Sequence, residues 1–209
     1  DNAGYSYLLN ATYYKKWNDK DSILKAWNWN SSVGYEFVNR NFHSLERFRS
    51  IEFYKDYNLD DQYIAIHNQH HLIFNSSILN EKRGETKYLF NYYTIDQEFT
   101  SFKNQIISNH NFKNYFFQTN TSFLLKNDSL HSSNFWRTWT TISKKFRSLE
   151  TGFIERFDRN IFKNLISDTL ERNSFQINEL SWFIQSTDSV KHSYRIQIKN
   201  FLEEKVQNN

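Results

Sequence analysis

Alternation with a period of two runs through most of this chain. Over residues 23–38 one parity carries Ile23, Lys25, Trp27, Trp29, Ser31, Val33, Tyr35 and Phe37. The other carries Leu24, Ala26, Asn28, Asn30, Ser32, Gly34, Glu36 and Val38. One row is largely aromatic or aliphatic and the other mostly small and polar, as in a strand with two unlike faces. A helix would scatter Trp27, Trp29, Tyr35 and Phe37 around its circumference. The N-terminal stretch repeats the pattern, with Tyr5, Tyr7, Leu9, Ala11 and Tyr13 opposite Ser6, Asn10, Thr12 and Lys16, interrupted by Leu8 and Tyr14. The polar cluster Asn18-Asp19-Lys20-Asp21-Ser22 between the two stretches predicts a hairpin.

Further strands are predicted at 47–57, 62–79, 86–95, 111–126, 133–146, 175–185 and 194–199. In the last of these Tyr194, Ile196 and Ile198 alternate with Arg195, Gln197 and Lys199. Turns are predicted at Asn80-Glu81-Lys82-Arg83-Gly84-Glu85, at Asn127-Asp128-Ser129-Leu130 and at Ser186-Thr187-Asp188-Ser189. Ile161, Phe162, Leu165, Ile166 and Leu170 have helical spacing, so 158–172 reads equally as a short helix or an irregular strand pair. Short loops make consecutive strands antiparallel neighbours. The expected fold is all-β, an antiparallel up-and-down meander forming one unit over 1–209.

Composition narrows the function. The chain has no Pro, Cys or Met and only 4 Gly, and aromatics supply 19% of its residues. Without Cys there are no disulfides, thiolate metal sites or Cys nucleophiles. Without Met the sequence reads as a segment of a longer protein. A net charge of +3, with no concentration of Lys and Arg, argues against nucleic-acid partners. The mean hydropathy of −0.79 excludes a transmembrane helix but not a transmembrane barrel, whose strands alternate polar and apolar. So many aromatics also argue against disorder.

A soluble β-sandwich would bury Val, Ile and Leu between two sheets of short strands. Here the apolar parity is rich in Tyr, Trp and Phe, and the strands are long. A barrel wall in a membrane accounts for both. Lys25, on the apolar parity, must then lie outside the hydrocarbon band.

Little in the sequence suggests catalysis. His67, His70 and His71 are the one ligand-like cluster, but on a strand His70 points away from the other two and no carboxylate lies within the run. Glu46, Glu52 and Asp56 are interleaved with Arg47, Arg49 and Lys55, as cross-strand charge pairs would be. There is no nucleophile elbow and no Gly-rich phosphate loop. Glycosylation sequons at Asn10, Asn30, Asn75, Asn120 and Asn127 are discounted in so Asn-rich a chain. Trp27 and Trp29 read as lipid-facing or core residues ahead of sugar- or base-stacking platforms. No catalytic, cofactor-binding or metal residue is expected, and no cofactor.

The stretch Leu45-Glu46-Arg47-Phe48-Arg49-Ser50-Ile51-Glu52-Phe53-Tyr54-Lys55-Asp56-Tyr57-Asn58 resembles an RFRxVEFxRDWN segment of very large outer-membrane β-barrel proteins of Bacteroidota, the SprA-like surface and secretion barrels and their relatives. Arg47, Phe48, Arg49, Glu52, Phe53, Asp56 and Asn58 match, whereas Ile51, Lys55 and Tyr57 replace Val, Arg and Trp. Residues 180–194, an aromatic strand followed by Ser186-Thr187-Asp188-Ser189 and a Lys191–Tyr194 pair, are similar to a hairpin of the same proteins. The resemblance implies a non-enzymatic wall segment in the outer membrane. Its partners would be the lipid bilayer and other subunits of an export or surface assembly. Two other readings stand beside it: a soluble or periplasmic β-structured binding module, and a structural subunit of a mitochondrial assembly from an AT-rich genome.

Overall fold

The computed structural model describes residues 4–19, 22–42, 67–96, 98–167, 169–170, 174–186 and 194–206. Among them eleven strands form one sheet. The strands are β1 (Ser6–Asp19), β2 (Ser22–Val38), β3 (Gln69–Asn80), β4 (Gly84–Ile95), β5 (Phe99–Phe112), β6 (Tyr115–Asp128), β7 (His131–Phe146), β8 (Leu149–Asn164), β9 (Thr169–Leu170), β10 (Phe175–Ser186) and β11 (Arg195–Lys205). Every pairing is antiparallel, and spatial order follows chain order from β1 to β8, then β10 and β11. The short β9 pairs only with the end of β8. β1 and β11 are the two edges, and the sheet is open. The all-β antiparallel meander expected from the alternation is therefore present.

Tight turns close one end of the sheet. Lys113 (φ 55°) and Arg147 (φ 47°) open the two-residue loops of the β5–β6 and β7–β8 hairpins. Positive φ at the first loop residue is the II′ geometry that suits the right-handed twist of the flanking strands. At the β3–β4 turn Asn80 Oδ1 accepts from the backbone N–H groups of Lys82 and Arg83, at 3.1 and 2.9 Å. The turn ends on Gly84, whose φ of +115° suits glycine alone.

The opposite end carries the long connection between β2 and β3. β2 and β3 are neighbours although residues 39–68 separate them in sequence. Asn39 N–H donates to the Tyr5 carbonyl (2.9 Å), and Asn39 Nδ2 to Asn68 Oδ1 (3.4 Å). Asn68 N–H in turn donates to Asp96 Oδ2 (3.1 Å), so departure and return of the chain are tied to the β4–β5 turn.

Several expected boundaries are corrected. Of the two readings open for 158–172, the irregular strand pair is the one present among the described residues: β8 runs to Asn164, a turn follows, and β9 pairs back onto β8. The ladder to β7 and β10 captures Asp158 and Asn160 whatever the local spacing of apolar residues. The run at 111–126 is not one strand, because the Lys113-Asn114 turn splits it between β5 and β6. Of the strand expected at 62–79, residues 69–79 belong to β3, 67–68 precede it, and 62–66 lie outside the described residues. The strand at 47–57 and the turn residues 187–189 lie outside the described residues.

Candidate functional site

Cross-strand partners in an antiparallel ladder share a face, so the registers assign every strand side chain to one of two surfaces. The first surface carries Asn10, Asn30, Ser32, Glu36, His71, Asn75, Lys87, Lys103, Gln105, Asn120, Arg137, Arg156, Asp158, Glu179 and Lys199. The second carries Leu9, Trp29, Val33, Leu72, Phe74, Phe90, Phe102, Ile106, Phe123, Trp136, Ile142, Phe153, Leu180, Trp182 and Ile198. The first mixes amide, hydroxyl and charged side chains with some apolar ones, and the second is mostly apolar.

Their exposure is the reverse of a soluble protein's. The buried apolar side chains among the described residues, Val38, Tyr93, Ile95, Phe99 and Phe183, all belong to the polar face, as do buried Asp158, Lys126 and His71. Tyr93, Ile95 and Phe99 form one cluster, with Leu124 packed against it. On the apolar face Phe153 is 56% exposed, Leu180 55% and Ile198 65%. A one-layered sheet buries one face this deeply only where it curls around that face or something lies on it.

The apolar face forms a belt of defined height. Tyr7 and Trp17, Trp27 and Phe37, Phe102 and Phe112, Tyr115 and Leu125, and Trp136 and Phe146 each bound eleven residues of strand, alternate ones of which are on that face. A membrane-crossing strand needs about 9–11 residues. The belt also slants. Its lower boundary runs from His70/Leu72 in β3 to Asn178/Leu180 in β10, and Leu180 lies on the level of Ile78. At the upper edge Gly84 pairs with His110, two residues short of the next turn, and Tyr115 with Lys144, again two short. The upper boundary thus climbs by one residue per strand, whereas the lower is level from Leu72 in β3 to Leu125 in β6 and rises beyond it. At about 3.3 Å rise and 4.8 Å strand spacing the upper climb is a tilt of roughly 35°, within the range of strands in barrels.

The centre of the belt is not purely apolar, and its polar groups bond to one another. Thr119 and Thr140 hydroxyls lie 3.0 Å apart, and Thr86 and Ser108 2.9 Å. Tyr88 OH donates to Asn104 Oδ1 (2.6 Å), and the Trp29 and Trp136 indoles donate to Ser76 and Thr138. Glu155 departs from the pattern, as a carboxylate exposed between Phe153 and Phe157. At the turn end, Lys15 Nζ sits 5.3 Å over Trp17, and Lys144 Nζ 4.8 and 4.7 Å over Tyr115 and Phe146. Trp17 stacks on Trp29 at 6.0 Å.

Charges on the polar face form a chain across four strands. Asp158, 2% exposed, accepts from Arg137 Nε at 3.1 Å and from Arg156 Nε and Nη2 at 2.9 and 2.6 Å. Arg156 stands opposite Glu179, whose Oε1 is 3.1 Å from Lys199 Nζ. Further toward the turns Glu150 accepts from the Ser143 hydroxyl (2.5 Å) and from Gln185 Nε2 (2.9 Å).

The histidines do not converge. His67 precedes β3 with Nδ1 3.4 Å from Asp96, His70 Nδ1 meets Tyr35 OH at 2.7 Å on the apolar face, and His71 Nδ1 lies 3.5 Å from Glu36 on the polar face. The carboxylates absent from the local run arrive from neighbouring strands. No metal-holding cluster of three occurs among the described residues. Glu46, Glu52 and Asp56 lie outside those residues. Asn10, Asn30, Asn75 and Asn120 are mid-strand on the polar face, while Asn127 lies at the end of β6 on the other. Sequence reasoning missed the Arg137–Asp158–Arg156 group, because only the β7–β8 register brings it together. No helix is long and apolar enough to cross a membrane among the described residues, which says nothing of strands. No protein-family model matches the chain, and no curated protein matches it.

Proposed function

We propose that this chain is a non-enzymatic wall segment of an outer-membrane β-barrel, with the aromatic face toward lipid and the polar face toward the lumen. The observation that carries this reading is the inversion of the two faces: apolar side chains stand out, while charged and amide side chains are crowded within. The slanted, eleven-residue belt and the cation-capped aromatics at its turn end support it, since aromatic girdles sit at lipid interfaces and amphipathic Lys side chains reach past them. A wall of this kind takes further strands at its edges. β1 suits that role: residues 5–14 carry no charge and no Pro, and Leu8, Leu9, Tyr13 and Tyr14 are all more than half exposed. Participation in protein export or cell-surface assembly rests on the likeness at 45–58 and 180–194 alone.

Flotation of the reconstituted protein with liposomes tests the reading. Co-flotation that resists high salt and alkaline extraction is expected, and recovery in the aqueous fraction without detergent contradicts it. The soluble or periplasmic binding module is favoured by one observation, the hydroxyl-rich belt centre with Glu155. An organellar subunit would carry more helix, and the described residues carry none.

A further inference from the structure

The polar face changes character along the sheet: β7 to β11 carry its charge chain, whereas β1 to β6 present mainly amides and hydroxyls. Within that second region Asn30, Ser32, Asn75, Ser77, Lys87 and Leu89 line a hollow of about 170 Å³. Tyr14 stands directly opposite Asn30, is 60% exposed, and donates its hydroxyl to Asn28 Oδ1 at 3.2 Å. Tyr14 is thus the register neighbour of one residue of the hollow, on the same face and one strand away. Asn75 Nδ2 reaches Ser32 Oγ at 3.5 Å, and Lys87 is neutralised by Glu85 at 2.9 Å. The same cross-strand row continues from Lys87 through Ile107 and Asn120 to Trp139, a second exposed aromatic on this face. Six strand spacings separate Tyr14 from Trp139, roughly 29 Å at 4.8 Å each.

We propose that this row binds a neutral oligosaccharide, with Tyr14 and Trp139 as stacking platforms and the hollow at Asn30 and Asn75 holding one sugar ring. A sugar offers an apolar C–H face to an aromatic ring and a rim of hydroxyls that both donate and accept. A planar carboxamide, with two donors and one acceptor, matches such a rim, and Ser hydroxyls fill the remaining positions. The cation at the hollow itself, Lys87, is already matched by Glu85, which disfavours a polyanion there. The site is on the face opposite the aromatic belt, so it stands whether or not that belt meets lipid.

The test is calorimetric titration of the full chain, with saturation-transfer NMR. The probes are maltoheptaose, cellohexaose, mannohexaose and chitohexaose, in a detergent without a sugar headgroup. At least one should bind, more tightly than its disaccharide, and with no dependence on salt because no counterions are released. Tyr14→Ala should weaken it by roughly tenfold or more, a loss of about 1.4 kcal/mol. Tyr14→Phe should retain it, and Asn30→Ala and Asn75→Ala should each weaken it. Far-UV circular dichroism establishes that each variant is folded. The proposal is overturned if none of the four binds at millimolar concentration, if binding ignores Tyr14→Ala in a folded variant, or if only charged polymers or peptides bind. Liposome flotation is unaffected by any of these outcomes.

Discussion

Arg137 and Asp158 face one another across β7 and β8, Nε to Oδ1 at 3.1 Å, and Asp158 is buried although both of its guanidinium partners are about half exposed. The carboxylate is the shared hub of two cations. Replacing Asp158 by Ala leaves Arg137 and Arg156 adjacent without a counter-charge, and should cost about 2 kcal/mol in denaturant unfolding. Arg137→Ala combined with Asp158→Ala should cost less than the sum of the single changes, because the pair is coupled. Strict additivity would mean that the contact contributes nothing.

Ile106 and Ile107 are adjacent on β5 but belong to different faces, Ile106 to the belt and Ile107 to the polar side. Ile106→Arg should reduce insertion into liposomes by about 2–4 kcal/mol, whereas Ile107→Arg should change it by less than about 1 kcal/mol. Equal effects, or the reverse order, would remove the distinction between lipid and lumen.

Glu155 interrupts the belt, so its replacement separates the wall from a water-soluble sheet. In a bilayer Glu155→Leu should favour insertion by about 1–2 kcal/mol. On a solvated face the same change should do nothing for membrane association and should lower solubility. Partitioning between vesicles and buffer reads the difference.

Lys113 and Arg147 occupy left-handed backbone conformations at the starts of two hairpin loops. Glycine adopts that conformation without steric cost. Lys113→Gly and Arg147→Gly should each raise the unfolding free energy by about 0.5–1 kcal/mol. Gly84→Ala should do the opposite, since its φ is +115° and a Cβ there would strike the Asn109 carbonyl. A stabilised Gly84→Ala variant would contradict a left-handed backbone at Gly84.

How far the sequence speaks depends on the strand. In β2 the row Trp27, Trp29, Val33, Tyr35, Phe37 is so uniform that both the strand and its apolar face could be read directly. β5 was invisible, because Lys103, Gln105, Asn104 and Ser108 put polar groups on both parities. β8 was obscured in the opposite way: Ile154, Phe157, Ile161 and Phe162 put apolar groups on both, and part of it mimicked a helical period. Lys113-Asn114 and Arg147-Ser148 contain neither Gly nor Pro, so the turns gave no local signal. The Asp158 hub and the row from Tyr14 to Trp139 arise from registers between strands, which alternation within one strand does not encode.

Spin labels placed singly along β6 at Phe116, Phe117, Gln118, Thr119, Asn120 and Thr121 in reconstituted vesicles test the two-faced wall most directly. Collisions with oxygen, which concentrates in lipid, should peak at Phe117, Thr119 and Thr121. Collisions with a water-soluble nickel reagent should peak at Phe116, Gln118 and Asn120, giving two oscillations of period two in opposite phase. Uniform access of the nickel reagent to both parities, with no oxygen maximum on the belt, would contradict a membrane-facing aromatic surface.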